Sequence, residues 1–373
     1  MRLVQATEDF RIDGQSYPGF PLLLDREMRA LEPARDFLIH QCLHRGRVRS
    51  PRSWAAYGQV LYDYFGFLEA RGRDWREGQF DENHSIVAAY RDWSLETVGL
   101  KVSTINYRLR FIIRFYRYAL DKGWIDQVPF DVEAVVVARP KGFLAHTDRS
   151  GGVRRSPDVL LAEKRPVLKV LSGEDIRRLL DGTRHNPTLN NIIRMALQTG
   201  LRKTELLTFP RKYVINPGRE STHRSMIRVN CDPRDMDLKG DKPRGIDVPR
   251  ALMERLWEYC LHERHQRLVD NATQDPGTLF VNQRGRALNP KASSLADLIQ
   301  KVLGYAHPQM LRHTYATYTL YEMRKRGSSV DPLMYVRDRL GHSSITTTEQ
   351  YLHYLSLVED DVVTAFQDEI DHI

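Results

Sequence analysis

Cysteine is scarce in this sequence, and its three copies, Cys42, Cys231 and Cys260, lie far apart. This spacing leaves no CxxC pair, which argues against a structural zinc site built on thiolates. No apolar run approaches the roughly 20 residues that a membrane-spanning helix needs. The N-terminus also lacks the basic, apolar and small-residue order of a secretory signal. Together these absences predict a cytoplasmic protein in a reducing environment.

Two motifs that would signal a bound cofactor are also missing. The sequence contains no GxxxxGK[ST] phosphate loop and no histidine–hydrophobe–histidine motif of the kind that metal-dependent nicking enzymes use. We therefore expect no metal and no cofactor. The composition, with 41% hydrophobic and 28% charged residues, is that of a globular protein. A net charge of +8 permits a polyanionic partner but does not require one.

The length of 373 residues predicts at least two domains. Residues 1–34, which are rich in glycine and proline, are interpreted as an N-terminal arm or a loosely packed extension. Residues 35–136 show helical spacing and are interpreted as one helical domain. Glycines, prolines and basic residues then alternate over 137–165, which predicts a basic linker. The predicted core stripe of the helical domain comprises Trp54, Tyr57, Leu61, Tyr64, Phe65 and Leu68.

A second helix is predicted from the Ser103–Thr104 capping signal to Gly123. Its apolar stripe runs from Ile105 to Leu120. On another face Arg110, Arg114 and Arg117 recur at i, i+4 and i+7, which lays three guanidinium groups along one line. Such a line would track phosphates, although a solvated helix face gives the same pattern.

Four later segments carry candidate chemistry. The first, TGLRKTEL at residues 199–206, follows an apolar helix that ends near Gly200 and precedes a second helical stretch. The second, LKGDKPRGIDVP at residues 238–249, has the pattern of a turn between two strands. The third, MLRHTYAT, spans residues 310–317. The fourth, LGHSSITTTEQYLHY, spans residues 340–354 and places His342 nine residues before Tyr351.

In order and type, these segments resemble the signature boxes of the tyrosine recombinase, or phage integrase, family. The resemblance covers most of residues 170–355, and its last box is the most specific. It implies a mainly α fold with a small antiparallel β-sheet. It also implies a catalytic domain over 166–355 and a SAM-like, helical core-binding domain over 35–136, which together form a clamp on DNA.

The resemblance carries the family's catalytic roles onto particular residues. Arg202 and Arg312 match the two arginines, and a guanidinium suits this place because it stays charged and presents a planar fork of donors to phosphate oxygens. His342 would donate a further hydrogen bond, and Glu205 would support an arginine. Lys239, with Lys242 as the fallback, matches the hairpin lysine that protonates the departing 5′ oxygen. Tyr351 would attack phosphorus and form a 3′-phosphotyrosyl link.

One position departs from the family pattern. The second box normally begins with a histidine three residues before its arginine, and here that position holds Gln309. Gln309 is therefore the predicted counterpart, with His307 as the alternative. An amide donates to a phosphate oxygen but does not exchange a proton near neutral pH. His313 matches the histidine that follows the arginine and is interpreted as a packing or orienting residue.

Other tyrosines and an acidic tail accompany these segments. Tyr315, Tyr318 and Tyr321 have core spacing, and the distance from His342 favours Tyr351 over Tyr354 as nucleophile. Residues 356–373 form an acidic tail with Phe366 and Ile370 at helical spacing. We interpret it as a helix exchanged between protomers, or else packed on its own domain.

The expected partners are double-stranded DNA, further copies of this chain and accessory DNA-bending or directionality proteins. The copies would form a tetramer in the synaptic complex from a monomer in solution. We expect localisation in the cytoplasm with the nucleoid. Two other functions stay open, namely a type IB topoisomerase and an architectural DNA-binding protein that has lost catalysis.

Overall fold

The computed structural model describes residues 1–46, 50–137, 152–163, 168–219, 225–342 and 345–352. The chain divides into two compact units, Met1–Arg165 and Pro166–Ile373. Helices dominate both units, and the strands described pair only into two-stranded antiparallel sheets. This confirms the predicted fold class, mainly α with small antiparallel sheets. None of the helices in these ranges is both long and apolar enough to cross a membrane.

The first unit begins with short strands and continues with helices. Strands β1 and β4 pair antiparallel, with Leu3 opposite Leu23, and β2 pairs with β3. The elements are β1 (Arg2–Gln5), β2 (Arg11–Ile12), β3 (Gln15–Ser16), β4 (Pro21–Leu24), α1 (Glu32–Ile39), α2 (Pro51–Glu69), α3 (Ile86–Asp92), α4 (Val102–Asp121), β5 (Val132–Val137) and β6 (Gly152–Pro157). One π-helical turn follows α1 and another follows α3, at His40–His44 and Trp93–Thr97.

Aromatic side chains fill the core of the first unit. Phe37 of α1 packs edge-on against Phe115 of α4, and Tyr64 donates or accepts a 2.6 Å hydrogen bond with Tyr116. The predicted stripe on α2 is buried, except that Tyr57 is half-buried. Edge-to-face packing of this kind suits aromatic rings, whose edges and faces carry opposite partial charges.

Residues 1–34 do not pack loosely. Phe20 is 0% exposed and Leu23 is 1% exposed, and both belong to the same core as α1, α2 and α4. A Cβ atom on Gly58 of α2 would lie 2.3 Å from Pro21, so the β1–β4 ribbon lies directly on that helix. The expectation of a loosely packed segment is therefore wrong, because glycine and proline report local turns and not what the neighbouring apolar residues contact.

Part of the predicted linker also belongs to the first unit. β5 and β6 pair in register from Val132 opposite Pro157 to Val137 opposite Gly152. Beyond them Val159 is fully buried, and the Asn106 amide donates to the carbonyl of Leu161 at 2.9 Å. The described residues of 152–163 are thus structured, whereas 138–151 and 164–165 lie outside the described ranges.

Helix α4 differs from its prediction at one end. It begins at Val102, one residue before the predicted Ser103–Thr104 cap, and Gly123 follows its end at φ +69°. Leu120 is 39% exposed and is not part of the buried stripe. The other predicted apolar positions are buried.

The second unit packs helices around one β-hairpin. Ser172 and Asp175 form the predicted capping box at the start of its first helix. The elements are α5 (Gly173–Gly182), α6 (Pro187–Thr199), α7 (Lys203–Leu207), β7 (Met226–Cys231), β8 (Arg244–Pro249), α8 (Arg250–Tyr259), α9 (His265–Asp270), α10 (Ser294–Leu303), α11 (Pro308–Lys325), α12 (Pro332–Leu340) and α13 (Thr346–Glu349). A π-helical turn at Cys260–Arg264 joins α8 to α9.

Helices α6, α11 and α12 of this unit pack together. α6 and α12 both pack against α11, and α12 also packs against β8. Tyr315 and Tyr318 of α11 are buried and Tyr321 is half-buried, as their spacing predicted. The three cysteines, Cys42, Cys231 and Cys260, are free thiols buried in the two cores, and burial raises the pKa of each.

Candidate active site

Arg312 lies at the centre of the site, where two helices end. It is 1% exposed, and its two terminal nitrogens each donate a 2.6 Å hydrogen bond, one to the Gly200 carbonyl and one to the Leu340 carbonyl. These carbonyls close the C-terminal ends of α6 and α12, where the helix dipole places partial negative charge. No ion pair to Arg312 occurs within the described residues. Burial, together with the charge of Arg202, lowers the pKa of Arg312 to about 9.

Glycine is required where these two helices end. Gly200 has φ +65° and Gly341 has φ +62°, the left-handed conformation that commonly ends a helix. At Gly200 a Cβ atom would lie 2.3 Å from the ring of Tyr315. Any other residue at Gly200 would therefore displace the carbonyl that holds Arg312.

Arg202 and Glu205 form a capping arrangement at the start of α7. The backbone N–H of Arg202 donates to one Glu205 oxygen at 2.7 Å, and its side chain donates to the other at 3.0 Å. Glu205 is 1% exposed. Burial alone would raise the pKa of this carboxyl, but the hydrogen bonds and charge of Arg244, with those of Arg202, lower it to about 2. Glu205 is therefore an anion that orients two arginines.

Arg244 reaches this site but was not a sequence candidate. It donates to both Glu205 oxygens, at 2.9 and 2.6 Å, and its Nε is buried without a partner among the described residues. A Cβ atom on Gly341 would lie 3.1 Å from Arg244, so the arginine packs against the end of α12. The sequence does contain a pattern that indicates the inward orientation of Arg244. Alternate residues of a strand share a face, and Arg244 alternates with the buried Ile246 and Val248.

Strand β8 also holds the helix that precedes His342. Asp247 accepts hydrogen bonds from the Tyr335 hydroxyl at 2.7 Å and from Arg339 at 2.6 Å, both on α12. It also pairs with Arg228 of β7 at 3.2 Å. The hairpin thus fixes the end of α12 and, through it, the backbone of His342.

Both ring nitrogens of His342 have partners. Nε2 lies 3.3 Å from an Arg312 nitrogen, and Nδ1 lies 3.0 Å from the hydroxyl of Thr348. Since arginine only donates, Nε2 accepts and Nδ1 carries the proton of the neutral ring. Burial, together with the charges of Arg312 and Arg202, lowers the pKa of His342 to about 3, which keeps the ring neutral.

Tyr351 is buried beside these groups. It is 1% exposed, and its ring is nearly parallel to that of His342, with the centroids 6.3 Å apart. Its hydroxyl lies 3.0 Å from Nδ1 of His313. Burial raises the pKa of Tyr351, although the charges of Arg312 and Arg202 oppose that rise. The structure thus brings Arg202, Glu205, Arg312, His313, His342 and Tyr351 together.

The remaining second-box candidates have no side-chain hydrogen bond to this cluster within the described residues. Gln309 and His307 are exposed at the start of α11, where His307 is the residue before the first turn. The carbonyl of His307 accepts from the backbone N–H of Met310, but neither side chain forms a hydrogen bond with another described residue. The choice between them stays a prediction.

Lys239 and Lys242 lie in the loop between β7 and β8, as predicted from the turn pattern. Both are exposed, and no hydrogen bond or ion pair joins either lysine to the site within the described ranges. Gly240 and Asp241 turn the chain with φ of +76° and +52°. The role of Lys239 stays a prediction.

The three α4 arginines belong to the first unit. Arg110 is exposed and pairs with Glu163 at 3.3 Å, while Arg114 donates to the carbonyl of Arg110. Arg117 is exposed and has no described partner. Their contact with DNA stays a prediction.

Two further expectations cannot be located. Tyr354 and the tail at 356–373, with Phe366 and Ile370, lie outside the described residues. Within the described ranges, no group of three histidine, cysteine, aspartate or glutamate side chains lies close enough together to hold a metal ion.

Comparison with known sequences identifies relatives of this arrangement. Residues 169–356 match the model of the phage integrase family. Transposase A from transposon Tn554 of Staphylococcus aureus is 25% identical over 366 residues, which cover 92% of this chain and 92% of the transposase. Tyrosine recombinase XerD of Caulobacter vibrioides is 26% identical over 333 residues, which cover 85% of this chain and 90% of XerD.

Solved structures resemble the fold. XerH site-specific recombinase bound to palindromic difH substrate, in a post-cleavage complex, has a TM-score of 0.58 at 17% identity, covering 87% of this chain and 92% of XerH. A lambda integrase dimer bound to a COC′ core site has a TM-score of 0.51 at 13% identity, covering 85% of this chain and 76% of the integrase chain. At these identities the likeness concerns the fold.

Proposed function

The chain belongs to the phage integrase family, and from that premise we propose that it is a site-specific tyrosine recombinase that cuts and rejoins double-stranded DNA through Tyr351. The observation that carries the proposal is the burial of Tyr351 beside Arg312 and His342 in the second unit. A phenol, two arginines and an imidazole are the groups that transfer of a phosphodiester to tyrosine requires. The target site and the direction of the reaction are left open.

The arginines would bind the scissile phosphate. Negative charge builds on its two non-bridging oxygens as the attacking oxygen approaches in line with the leaving oxygen. Arg312 makes no described ion pair, so its charge is available to those oxygens, and Arg202 lies beside it with part of its guanidinium held by Glu205. Fixed, desolvated donors of this kind stabilise the transition state far more than the same groups do in water.

Gln309 would donate a further hydrogen bond from its amide to the phosphate. The same role for His342 requires a change, because its Nε2 faces Arg312 in the structure. When a phosphate oxygen draws the guanidinium away, Nε2 is released. The ring then donates from Nε2 only if its proton moves there from Nδ1 or if it gains a second proton.

The proposed step exchanges one ester for another. Tyr351 attacks phosphorus, the bond from phosphorus to the 5′ oxygen breaks, and Lys239 protonates that oxygen. The product is a 3′-phosphotyrosyl link that keeps the energy of the phosphodiester. A 5′ hydroxyl from a second strand reverses the step, so rejoining needs neither ATP nor a metal.

Assembly and location complete the proposal. We expect monomers in solution to form a tetramer on two DNA sites, with the two units arranged as a clamp and residues 356–373 exchanged between protomers. Accessory DNA-bending proteins would set the direction. Action on chromosomal or mobile-element DNA would place the protein in the cytoplasm with the nucleoid.

The test traps the covalent intermediate. Wild type and Tyr351→Phe are incubated with nicked suicide duplexes made from DNA that flanks the gene, and a denaturing gel shows any protein–DNA adduct. An adduct with wild type alone supports the proposal. Tight, site-specific binding without an adduct favours the architectural function, which the exposed Gln309 in place of a histidine keeps open. Relaxation of any supercoiled plasmid favours a type IB topoisomerase.

A further inference from the structure

We propose that His313 accepts the proton of Tyr351 during strand cleavage and returns it during rejoining. The proposal deepens the function above and rests on it. It assigns to His313 a role in the chemistry itself, beyond packing or orienting.

Geometry places the acceptor at the reacting atom. Nδ1 of His313 lies 3.0 Å from the hydroxyl oxygen of Tyr351, and the two rings are inclined at 46° with centroids 5.7 Å apart. His313 is the hydroxyl's one hydrogen-bond partner among the described residues. A general base must lie within about 2.6–3.2 Å of the heavy atom that carries the proton it removes, and this contact meets that condition.

The other imidazole at the site does not meet it. Nε2 of His342 accepts from Arg312, and its Nδ1 proton points to Thr348. The lone pair of His342 is therefore already engaged. Nδ1 of His313 contacts the Tyr351 hydroxyl, and in the tautomer whose proton is on Nε2 its lone pair accepts from that hydroxyl.

Gln309 explains why the proton needs another acceptor here. An amide cannot take up a proton near neutral pH, and the side chains of Gln309 and His307 are exposed and form no hydrogen bond with any described residue. His313 is one residue after Arg312 on α11, so the same helix positions the phosphate-binding arginine and the base. Burial, together with the charge of Arg312, lowers the pKa of His313 to about 4, which leaves its lone pair free at neutral pH.

The proposed step balances. As the bond from Tyr351 oxygen to phosphorus forms, the phenolic O–H bond breaks and its proton moves to Nδ1 of His313. The bond from phosphorus to the 5′ oxygen breaks at the same time, and that oxygen takes a proton from Lys239. The entering phosphate brings negative charge next to Arg312, which offsets the positive charge that weakens His313 as a base. Rejoining runs each transfer in reverse.

Single-turnover cleavage of a suicide duplex that wild type cuts tests this role. His313→Asn offers an acceptor to the Tyr351 hydroxyl but cannot take up its proton. We expect His313→Asn and His313→Ala to cleave about 10²–10⁴-fold more slowly than wild type. The matched control, His185→Ala, changes an exposed histidine of the same unit, between α5 and α6, and should cleave as wild type does.

Chemical rescue separates proton transfer from structure. Imidazole and its methyl derivatives should raise the rate of His313→Ala in proportion to their basicity, and should do nothing for Tyr351→Phe. DNA binding and thermal unfolding of the variants are measured alongside. The proposal is overturned if His313→Asn cleaves within about threefold of wild type, or if a folded, DNA-binding His313→Ala is not rescued or is rescued independently of basicity. Failure of the proposed function would show instead as no adduct with wild type.

Discussion

The cores of the two units contain different kinds of side chain. The first unit packs aromatic rings, and none of its described charged residues is fully buried. Among its described residues the second unit buries four charged side chains, those of Arg194, Glu205, Arg264 and Arg312. Burying a charge costs several kcal/mol unless partners compensate for it. The difference fits the proposed placement of the catalytic residues in the second unit, because two of the buried charges, Glu205 and Arg312, belong to the candidate site.

Two buried arginines within the second unit refine this comparison. Arg264 forms an ion pair with Asp275 through both terminal nitrogens and donates to the carbonyls of Thr278 and Leu279. Arg312 is held by two carbonyls and one imidazole, without a carboxylate. The first guanidinium is neutralised within the fold, and the second keeps its charge for a bound anion. Burial alone therefore does not distinguish these two arginines, whereas the carboxylate partner of Arg264 does.

The largest expected effect follows from replacing each arginine by methionine. Arg312→Met should lower the cleavage rate by about 10³-fold, because a fixed donor to the transition state is lost. Its free energy of unfolding should fall less than that of Arg264→Met, because the loss of the donor to two carbonyls is offset by the removal of a buried charge that has no carboxylate partner. Arg264→Met should lower the free energy of unfolding of the second unit by about 2–3 kcal/mol, because Asp275 and the two carbonyls lose their partner. Its cleavage rate below the unfolding temperature should equal that of wild type. Equal losses of cleavage rate in the two variants would contradict the distinction between an arginine that binds the phosphate and one that only stabilises the fold.

Glu205 predicts a pH dependence of the stability of the second unit. Its folded pKa of about 2 lies below the ordinary 4.5, so its stabilising contribution is present above pH 4.5 and is lost as the pH falls toward 2. This contribution amounts to about 3 kcal/mol. Unfolding of the second unit, followed by calorimetry between pH 6 and 2, should show a gap between wild type and Glu205→Gln that closes on acidification. A gap independent of pH would contradict the buried anion.

Two helix-ending glycines allow a matched test across the units. Gly200→Ala should destabilise the second unit by roughly 2–3 kcal/mol, because alanine is strained at φ +65° and its Cβ atom meets Tyr315. Gly123→Ala has the same strain at φ +69° but no atom within 4 Å, so we expect a loss of about 1 kcal/mol in the first unit. Thermal unfolding measures both variants. Similar losses of unfolding free energy would show that Tyr315 moves aside for the added methyl group at little cost.

The smallest effect is expected on the surface of the first unit. Arg117→Ala should weaken DNA binding without changing site preference, and should reduce the slope of log affinity against log salt by about one. Arg110→Ala should do less, because Arg110 already pairs with Glu163. Fluorescence anisotropy over a salt series measures both variants. An unchanged slope for Arg117→Ala would assign this helix face to solvent.

Local patterns in the sequence predicted the elements that position the site. The apolar run before Gly200 predicted the end of α6, and the Lys239 turn predicted the hairpin. Arg244 was missed because its partner, Glu205, lies 39 residues away and only the fold brings them together. The packing of residues 1–34 was missed for the same reason, since the turn signals around Phe20 say nothing of the helices it contacts.

The central claim is that Tyr351 becomes covalently bonded to the DNA during cleavage. The most direct measurement is to trap the adduct on a suicide duplex, digest protein and DNA, and identify the modified peptide by mass spectrometry. The account predicts a nucleotide attached through its 3′ phosphate to the hydroxyl of Tyr351. A nucleotide on another residue, or attachment through a 5′ phosphate, would contradict it.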